Sequence, residues 1–319
     1  MELSYDDRPG QIWLDGELVP WRDANTHILS HALHYASCVF EGERAYDGRI
    51  FKLNAHTRRL FDGAGVMDMT IPYTIEEIDA ACALVVQNQG ISDGYVRPIV
   101  WRGSEMMGVS AQSARIHVAI AAWEWPDYFA DRMTGIAMKW AKWRRPDPAT
   151  IPCHTKAGGL YMICTLSKHD AEKDGYADAL MLDYRGYIAE ATGANIFMLL
   201  ADGKLHTPEP DCFLDGITKR TVTALAEARG YEIVERHIKP EELAGASEVF
   251  LTGTAVEVTA VRAIGEYAFT PGDLTRALME DYDAEVRRAP PAAQSAAYRM
   301  PDLGALGASW QQAVAAHSA

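Results

Sequence analysis

Apolar and polar positions first follow a short, strand-like alternation. Gln11-Ile12-Trp13-Leu14 and Glu17-Leu18-Val19-Pro20 flank Asp15-Gly16, and Ala45-Tyr46 and Arg49-Ile50-Phe51 flank Asp47-Gly48. An Asp-Gly pair between apolar runs predicts a hairpin, because both residues accept positive φ. From Asn54 to Val66 the spacing becomes helical. A second helix is predicted to open at Thr74-Ile75-Glu76-Glu77, close to a capping arrangement, and to run to Gly90. Strands are predicted at 95–102 and 114–123, the latter nearly all apolar and therefore interior. The alternation fails over 124–132, where Pro126 intervenes, and this stretch is expected to link two domains.

A second mixed unit begins near Ile136. Its predicted strands lie at 136–143, 178–183, 195–200 and 248–252, and its predicted helices near 159–174 and 217–229. Beyond Arg288, Ala289-Pro290-Pro291-Ala292-Ala293 ends the periodicity, and a mobile tail is expected. The expected division is thus a small α/β domain over 1–123, an interdomain loop over 124–135, a larger domain over 136–288 and a tail over 289–319. The fold class is α+β.

Composition narrows this further. The chain has 319 residues, 48% apolar and 23% charged, as expected for a soluble globular protein. No apolar run approaches the roughly 18–20 residues of a membrane span. Met1-Glu2-Leu3-Ser4-Tyr5-Asp6-Asp7 is neither basic nor apolar, which argues against a secretory signal. Five cysteines, scattered and without a C-x-x-C pair, point to reduced thiols in a cytoplasm and away from a cysteine zinc site. The net charge of −14 disfavours binding to nucleic acid or to an acidic membrane. An enzyme acting on small molecules is the expectation.

Candidate chemistry starts with the nine lysines. Lys156 alone sits among small or apolar neighbours, in Ile151-Pro152-Cys153-His154-Thr155-Lys156-Ala157-Gly158-Gly159-Leu160-Tyr161. A lysine withdrawn from water holds its proton less tightly, so its amine can attack a carbonyl and form an imine. A strand-end lysine beside a Gly-Gly turn is the plainer account. Leu214-Asp215-Gly216-Ile217-Thr218 leads directly into a predicted helix whose free amides favour a phosphate, and Thr252-Gly253-Thr254 offers similar hydroxyl chemistry. Each alone is more often just a capped turn. The chain contains neither a Walker A pattern nor G-x-G-x-x-G, so a nucleotide site is not expected. His27, His31 and His34 would share a helix face and could hold a metal, although structural histidines account for them better. In Lys139-Trp140-Ala141-Lys142-Trp143-Arg144-Arg145, bases interleave with aromatics as in single-strand binders. In so acidic a chain this reads instead as a strand with one wet face.

Taken together, several motifs resemble the fold-type IV pyridoxal-phosphate enzymes, and within them the branched-chain amino acid aminotransferases. They are His31-Ala32-Leu33-His34-Tyr35 leading to Val39-Phe40-Glu41-Gly42-Glu43-Arg44-Ala45-Tyr46; Tyr95-Val96-Arg97-Pro98; Met107-Gly108-Val109; Thr155-Lys156-Ala157-Gly158-Gly159-Leu160-Tyr161; Gly186-Tyr187-Ile188-Ala189-Glu190-Ala191-Thr192-Gly193-Ala194-Asn195-Ile196-Phe197; Gly216-Ile217-Thr218; and Thr252-Gly253-Thr254-Ala255-Val256-Glu257-Val258-Thr259. The likeness runs from about Ile12 to Arg288.

It implies a two-domain architecture whose larger domain binds pyridoxal 5'-phosphate. It also implies transfer of the amino group of leucine, isoleucine or valine to 2-oxoglutarate. Lys156 would carry the cofactor and move the proton, and Glu190 would face the pyridine nitrogen. Arg59, Ile217, Thr218 and Thr254 would hold the phosphate, and Tyr161 the ring oxygen. Tyr35, Arg97, Tyr128, Thr254 and Ala255 would surround the substrate carboxylate, with Phe40 and Val109 walling an apolar pocket partly built by a second subunit. A homodimer is the smallest assembly this allows. Arg44 is our candidate for the second carboxylate of 2-oxoglutarate.

Three residues depart from the family pattern: Leu160 in place of asparagine, Ala194 in place of glutamate, and Glu43 in place of an apolar residue. Glu43 is expected to place a charge near the pocket and alter the substrate range. The rival readings are a fold-type IV transaminase acting on D-amino acids or R-amines, and a non-enzymatic metal-binding protein built on the three histidines.

Overall fold

A computed structural model describes residues 4–125 and 132–288. Tyr128, half of the expected interdomain loop and the expected 289–319 tail lie outside the described residues.

The first half forms a seven-stranded antiparallel sheet. Its order is Glu17–Pro20, Gln11–Leu14, Ile116–Glu124, Gly94–Arg102, Glu43–Tyr46, Arg49–Ile50, with Cys38–Phe40 also pairing with Gly94–Arg102. Both predicted hairpins form. Asp15 and Gly16 have φ of 48° and 100°, and Asp47 and Gly48 have 50° and 73°, values that only Asn, Asp and Gly adopt readily. The helices Leu53–Val66 and Ile75–Asn88 cover this sheet. In the second, Ile78, Ala81, Cys82 and Val85 recur at helical spacing and are fully buried. Its start is the expected capping box: Glu77 N donates to Thr74 Oγ1 at 3.2 Å, and Thr74 N donates to Glu77 Oε2 at 2.7 Å. Such a cap contributes about 1 kcal/mol.

The second half forms a nine-stranded mixed sheet. Its order is Ile188–Ala191, Asp178–Leu182, Ile136–Trp140, Glu257–Ile264, Ala246–Gly253, Asn195–Leu200, Leu205–Pro208, Ile233–Arg236, with Tyr267–Ala268 pairing with Glu257–Ile264. Alternation sorts its side chains. Val249 and Leu251 enter one core, while Phe250 faces the helices Ile217–Ala228 and Asp273–Arg287 in another.

Where sequence and structure differ, burial explains the difference. The expected strand 136–143 stops at Trp140, and the chain then turns so that Arg145 points inward and is 4% exposed. Some strands carry no alternating signal in the sequence. Ile188–Ala191 and Leu205–Pro208, for example, are buried at every position, so polar and apolar faces never separate. The helix at the histidines begins only at His31. His27 therefore precedes it, and His31 bonds Ser37 Oγ at 2.8 Å and the Gly108 carbonyl at 2.9 Å. Among the described residues, no helix is long and apolar enough to cross a membrane.

The two halves touch at several places, among them the hydrogen bond from Tyr46 Oη to Glu257 Oε1 at 2.6 Å and a junction beside Lys156. Val39 bridges Ala157, and Phe40 N donates to the Lys156 carbonyl at 3.2 Å.

Candidate active site

That junction fixes Lys156 at the floor of a cleft lined also by Arg59, Tyr161, Glu190, Ile217, Thr218 and Thr254. All seven residues expected around a cofactor therefore converge on one cavity. A single 3-10 turn, Gly158–Leu160, separates Lys156 from the helix Tyr161–Lys173 and folds Tyr161 back over the amine. Lys156 Nζ donates to Tyr161 Oη at 2.9 Å and lies 5.1 Å from the Phe40 ring centre. Burial pulls the Lys156 pKa below its ordinary 10.5, and the guanidinium charges of Arg59 and Arg97 pull the same way against Glu41. The shift favours the neutral, nucleophilic amine.

One end of the cleft is built to take an anion. Arg59 Nε and Nη2 donate to Glu41 Oε1 and Oε2 at 2.7 and 2.9 Å, and the Arg59 Nη1 to Asp215 carbonyl distance is 3.4 Å. His56 Nδ1 lies 2.8 Å from Glu41 Oε2. Glu41 is completely buried. Burial alone would raise its pKa, but Arg59 and His56 hold it well below the carboxylate range. The charged carboxylate thus clamps the arginine from behind. Facing it is the N-terminus of Ile217–Ala228, whose N-cap Gly216 supplies no side-chain cap to the first amides. A Cβ at Gly216 would stand 2.2 Å from Asn195 Oδ1, so glycine is required for this approach. Nearby, Thr252 Oγ1 is buried without a partner.

Glu190 occupies the other end. Burial pushes its pKa up to about 7, opposed by Arg145 and Lys156. Arg145 Nε lies 3.4 Å from Glu190 Oε1, an ion pair without hydrogen-bond alignment. Asn195 Nδ2 donates to Glu190 Oε2 at 3.3 Å and to the Leu214 carbonyl at 3.0 Å, while its Oδ1 accepts from Gly216 N at 3.1 Å. One amide side chain therefore ties the acid to the anion turn.

Sequence motifs alone assign no role to Glu41, Arg145 or Asn195. Asn195 is visible inside a motif and Glu41 beside Phe40. Nothing local marks Arg145, which enters the site only because the preceding strand ends early.

The expected substrate residues are more dispersed. Phe40 packs on Tyr161 with ring centres 4.8 Å apart, and the Arg97 guanidinium lies 4.7 Å above Phe40 and donates to Tyr95 Oη at 3.3 Å. Thr254 lines the cleft, with Ala255 next to it in the same turn. Tyr35 and Val109 do not close over this chain's cleft; they are 44% and 84% exposed. Arg44 is turned away from the cleft. It lies 3.8 Å from Glu257 and over the Tyr46 ring in a second cavity, so the structure does not place it where a bound 2-oxo acid would meet it. Glu43 is likewise off the cleft wall, fully buried with neither oxygen hydrogen-bonded, because Arg44 and Glu43 point to opposite faces of their strand. Leu160 is a core residue, and Ala194 lines the cleft.

Residues 38–264 match the family described as amino-transferase class IV. The chain belongs to the class IV aminotransferases. A branched-chain-amino-acid aminotransferase of Pseudomonas aeruginosa is 44% identical over 268 residues, 82% of this chain and 87% of that protein. The Escherichia coli K12 branched-chain-amino-acid aminotransferase is 38% identical over 261 residues, 79% of this chain and 84% of that one. Among solved structures, the T.th. branched-chain amino acid aminotransferase complexed with N-(5'-phosphopyridoxyl)-L-glutamate superposes with a TM-score of 0.85 at 36% identity, covering 90% of this chain and 97% of that one. The Escherichia coli enzyme gives 0.81 at 35% identity, covering 87% and 94%. The class IV aminotransferase fold is therefore the fold of this chain, as the sequence motifs implied.

Proposed function

We propose that this class IV aminotransferase transfers the amino group of leucine, isoleucine or valine to 2-oxoglutarate with pyridoxal phosphate as cofactor. The observation that carries the reading is the convergence of a pKa-lowered lysine, a buried acid and an arginine-backed anion turn on one cleft. The donor set fits the cofactor. Thr252 Oγ1, buried without a partner, and the amides of Ile217 and Thr218, which no side chain caps, line the cleft with Arg59, where a phosphate would satisfy them. When bound, the cofactor supplies an electron sink for the substrate carbon.

This chain's residues do the rest. Lys156 Nζ would hold the cofactor at its carbonyl carbon, the carbonyl oxygen leaving as water, and would carry the proton on and off the substrate. Tyr161 Oη holds that amine in place. Arg145 and Asn195 position the Glu190 carboxylate, which would face the ring nitrogen and hold its proton. Glu41 fixes Arg59 against the phosphate.

Arg97 is read as the partner of the substrate carboxylate, supported by its place over Phe40, whose ring packs on the cleft residue Tyr161. Arg97→Ala is expected to raise KM for leucine and for 2-oxoglutarate by about 10- to 100-fold while sparing cofactor binding, since a charge-assisted hydrogen bond contributes roughly 1.5–3 kcal/mol. Steady-state kinetics with a panel of amino donors checks both this and the substrate class. Unmodified enzyme that prefers D-amino acids, or amines lacking a carboxylate, would overturn the reading.

We read the two sheets as a small domain and a larger cofactor-binding domain, and the working unit as a homodimer. The dimer is supported by exposed Ile28, Leu33, Tyr35 and Val109, which lie together around His31 and the Gly108 carbonyl it bonds. Sedimentation at the 35.2 kDa mass of one chain would remove it. The five cysteines are free, in keeping with a cytoplasmic setting.

A further inference from the structure

Glu43 has no part in the function above, yet it is the most anomalous side chain near the site. It is 0% exposed, both its oxygens lack a hydrogen-bond partner, and Val96 faces it on the paired strand. An apolar side chain of similar volume would fill this space without the cost of an unsatisfied buried carboxyl. Charged and titratable groups reach it from each neighbouring element. Glu41 lies two residues before it, Asp79 and Cys82 project from Ile75–Asn88, and Arg59 projects from Leu53–Val66 with His56 behind Glu41. Two carboxylates and one guanidinium thus act on the buried Glu43 carboxyl. Glu41 already takes two hydrogen bonds from that guanidinium, and Asp79 is held by Thr57 and Asn54.

We propose that Glu43 is a positioning residue that acts through Glu41 and Arg59, coupling one buried proton to the binding of the cofactor phosphate. This rests on the reading that Arg59 meets that phosphate. Burial without a hydrogen-bond partner first, and then Glu41 and Asp79, push the Glu43 pKa well above the ordinary carboxylate value, which favours the neutral acid. With Glu43 neutral, the Arg59–Glu41 pair presents its remaining donor capacity to an anion. With Glu43 ionised, a second negative charge stands behind Arg59 and opposes the phosphate. The sign follows by linkage: an anion at Arg59 makes Glu43 harder to ionise, so the bound state keeps the proton and affinity falls as pH rises.

The test is binding of pyridoxal phosphate to the cofactor-free chain from pH 6 to pH 10, beside Glu43→Gln and Glu43→Met. Pyridoxal, which lacks the phosphate, serves as the control ligand. Groups shared by the three proteins, Lys156 and Glu190 included, cancel in the comparison. Wild-type affinity for pyridoxal phosphate is expected to weaken at the alkaline end by about tenfold more than that of either variant, one pK unit of coupling. No such difference is expected with pyridoxal. Superimposable profiles for all three proteins, or a difference that persists with pyridoxal, would overturn the role of Glu43. Pyridoxal phosphate binding no tighter than pyridoxal would instead overturn the phosphate reading of Arg59, and this inference with it. The methionine variant keeps the core filled, so the comparison survives a poorly folded glutamine variant.

Discussion

Replacing Lys156 with alanine is expected to lower transamination by at least about 1,000-fold, roughly 4 kcal/mol of transition-state stabilisation. Two losses combine. The amine is the cleft's covalent handle and also its proton carrier, and among the residues lining the cleft no other lysine is present to replace it. Tyr161 Oη, which accepts from Lys156 at 2.9 Å, cannot substitute, because burial raises its pKa further above 10. The wild-type chain carries a matching signature. Its reaction with pyridoxal phosphate should accelerate with rising pH around a midpoint below the ordinary lysine value of 10.5, since the buried amine loses its proton early. Reductive trapping followed by peptide mapping should label Lys156. Label on another lysine, or an alanine variant with ordinary turnover, would end the assignment.

Glu190→Gln is expected to fold and to bind cofactor, yet to lose about 100-fold in turnover, roughly 2.7 kcal/mol. Glutamine keeps the shape and the contact with Asn195 but cannot balance a protonated ring nitrogen. The wild-type pH dependence has a definite sign. Burial pushes the pKa of this acid up to about 7 in the cofactor-free chain, so it takes up its proton in the neutral range. Below that pH, pairing with a pyridinium must expel a proton from Glu190, so cofactor affinity falls with acid in the wild type and this component is absent from the variant. Titration calorimetry at pH 5.5 and 8 reads the difference. Near-normal turnover, or identical acid limbs, would show that Glu190 faces something else.

Much of this architecture is readable in the sequence because its signals are local. The Asp15-Gly16 and Asp47-Gly48 turns, the Thr74 box and the Gly216-Ile217-Thr218 helix start each depend on a few neighbouring residues, and each forms as expected. What escapes depends on distant packing. Ile188–Ala191, which carries Glu190, is buried at every position and so lacks a period. Arg145 reads as one more base in an aromatic-basic run, and only the early end of Ile136–Trp140 turns it inward. Glu43 and Arg44 are legible as residues but not as directions, since one strand position decides which way each side chain points. The helix Asp273–Arg287 is an exception: Leu274, Leu278, Tyr282 and Val286 recur at helical spacing, so its period is available in the sequence though absent from the predicted elements.

The hydrogen bond from Phe40 N to the Lys156 carbonyl has a mechanical consequence. The reactive lysine follows the second sheet's chain, but its backbone is stapled to the first through that bond and the Val39–Ala157 bridge. Arg59 comes from a helix over the first sheet, and Glu190 from a strand of the second. A hinge that parted the sheets would tear the staple and pull the phosphate end away from the nitrogen end, dismantling the site at each turnover. Phosphate end, lysine and nitrogen end are thus tied to one another across the two halves, and the site keeps its shape only while both stay in register.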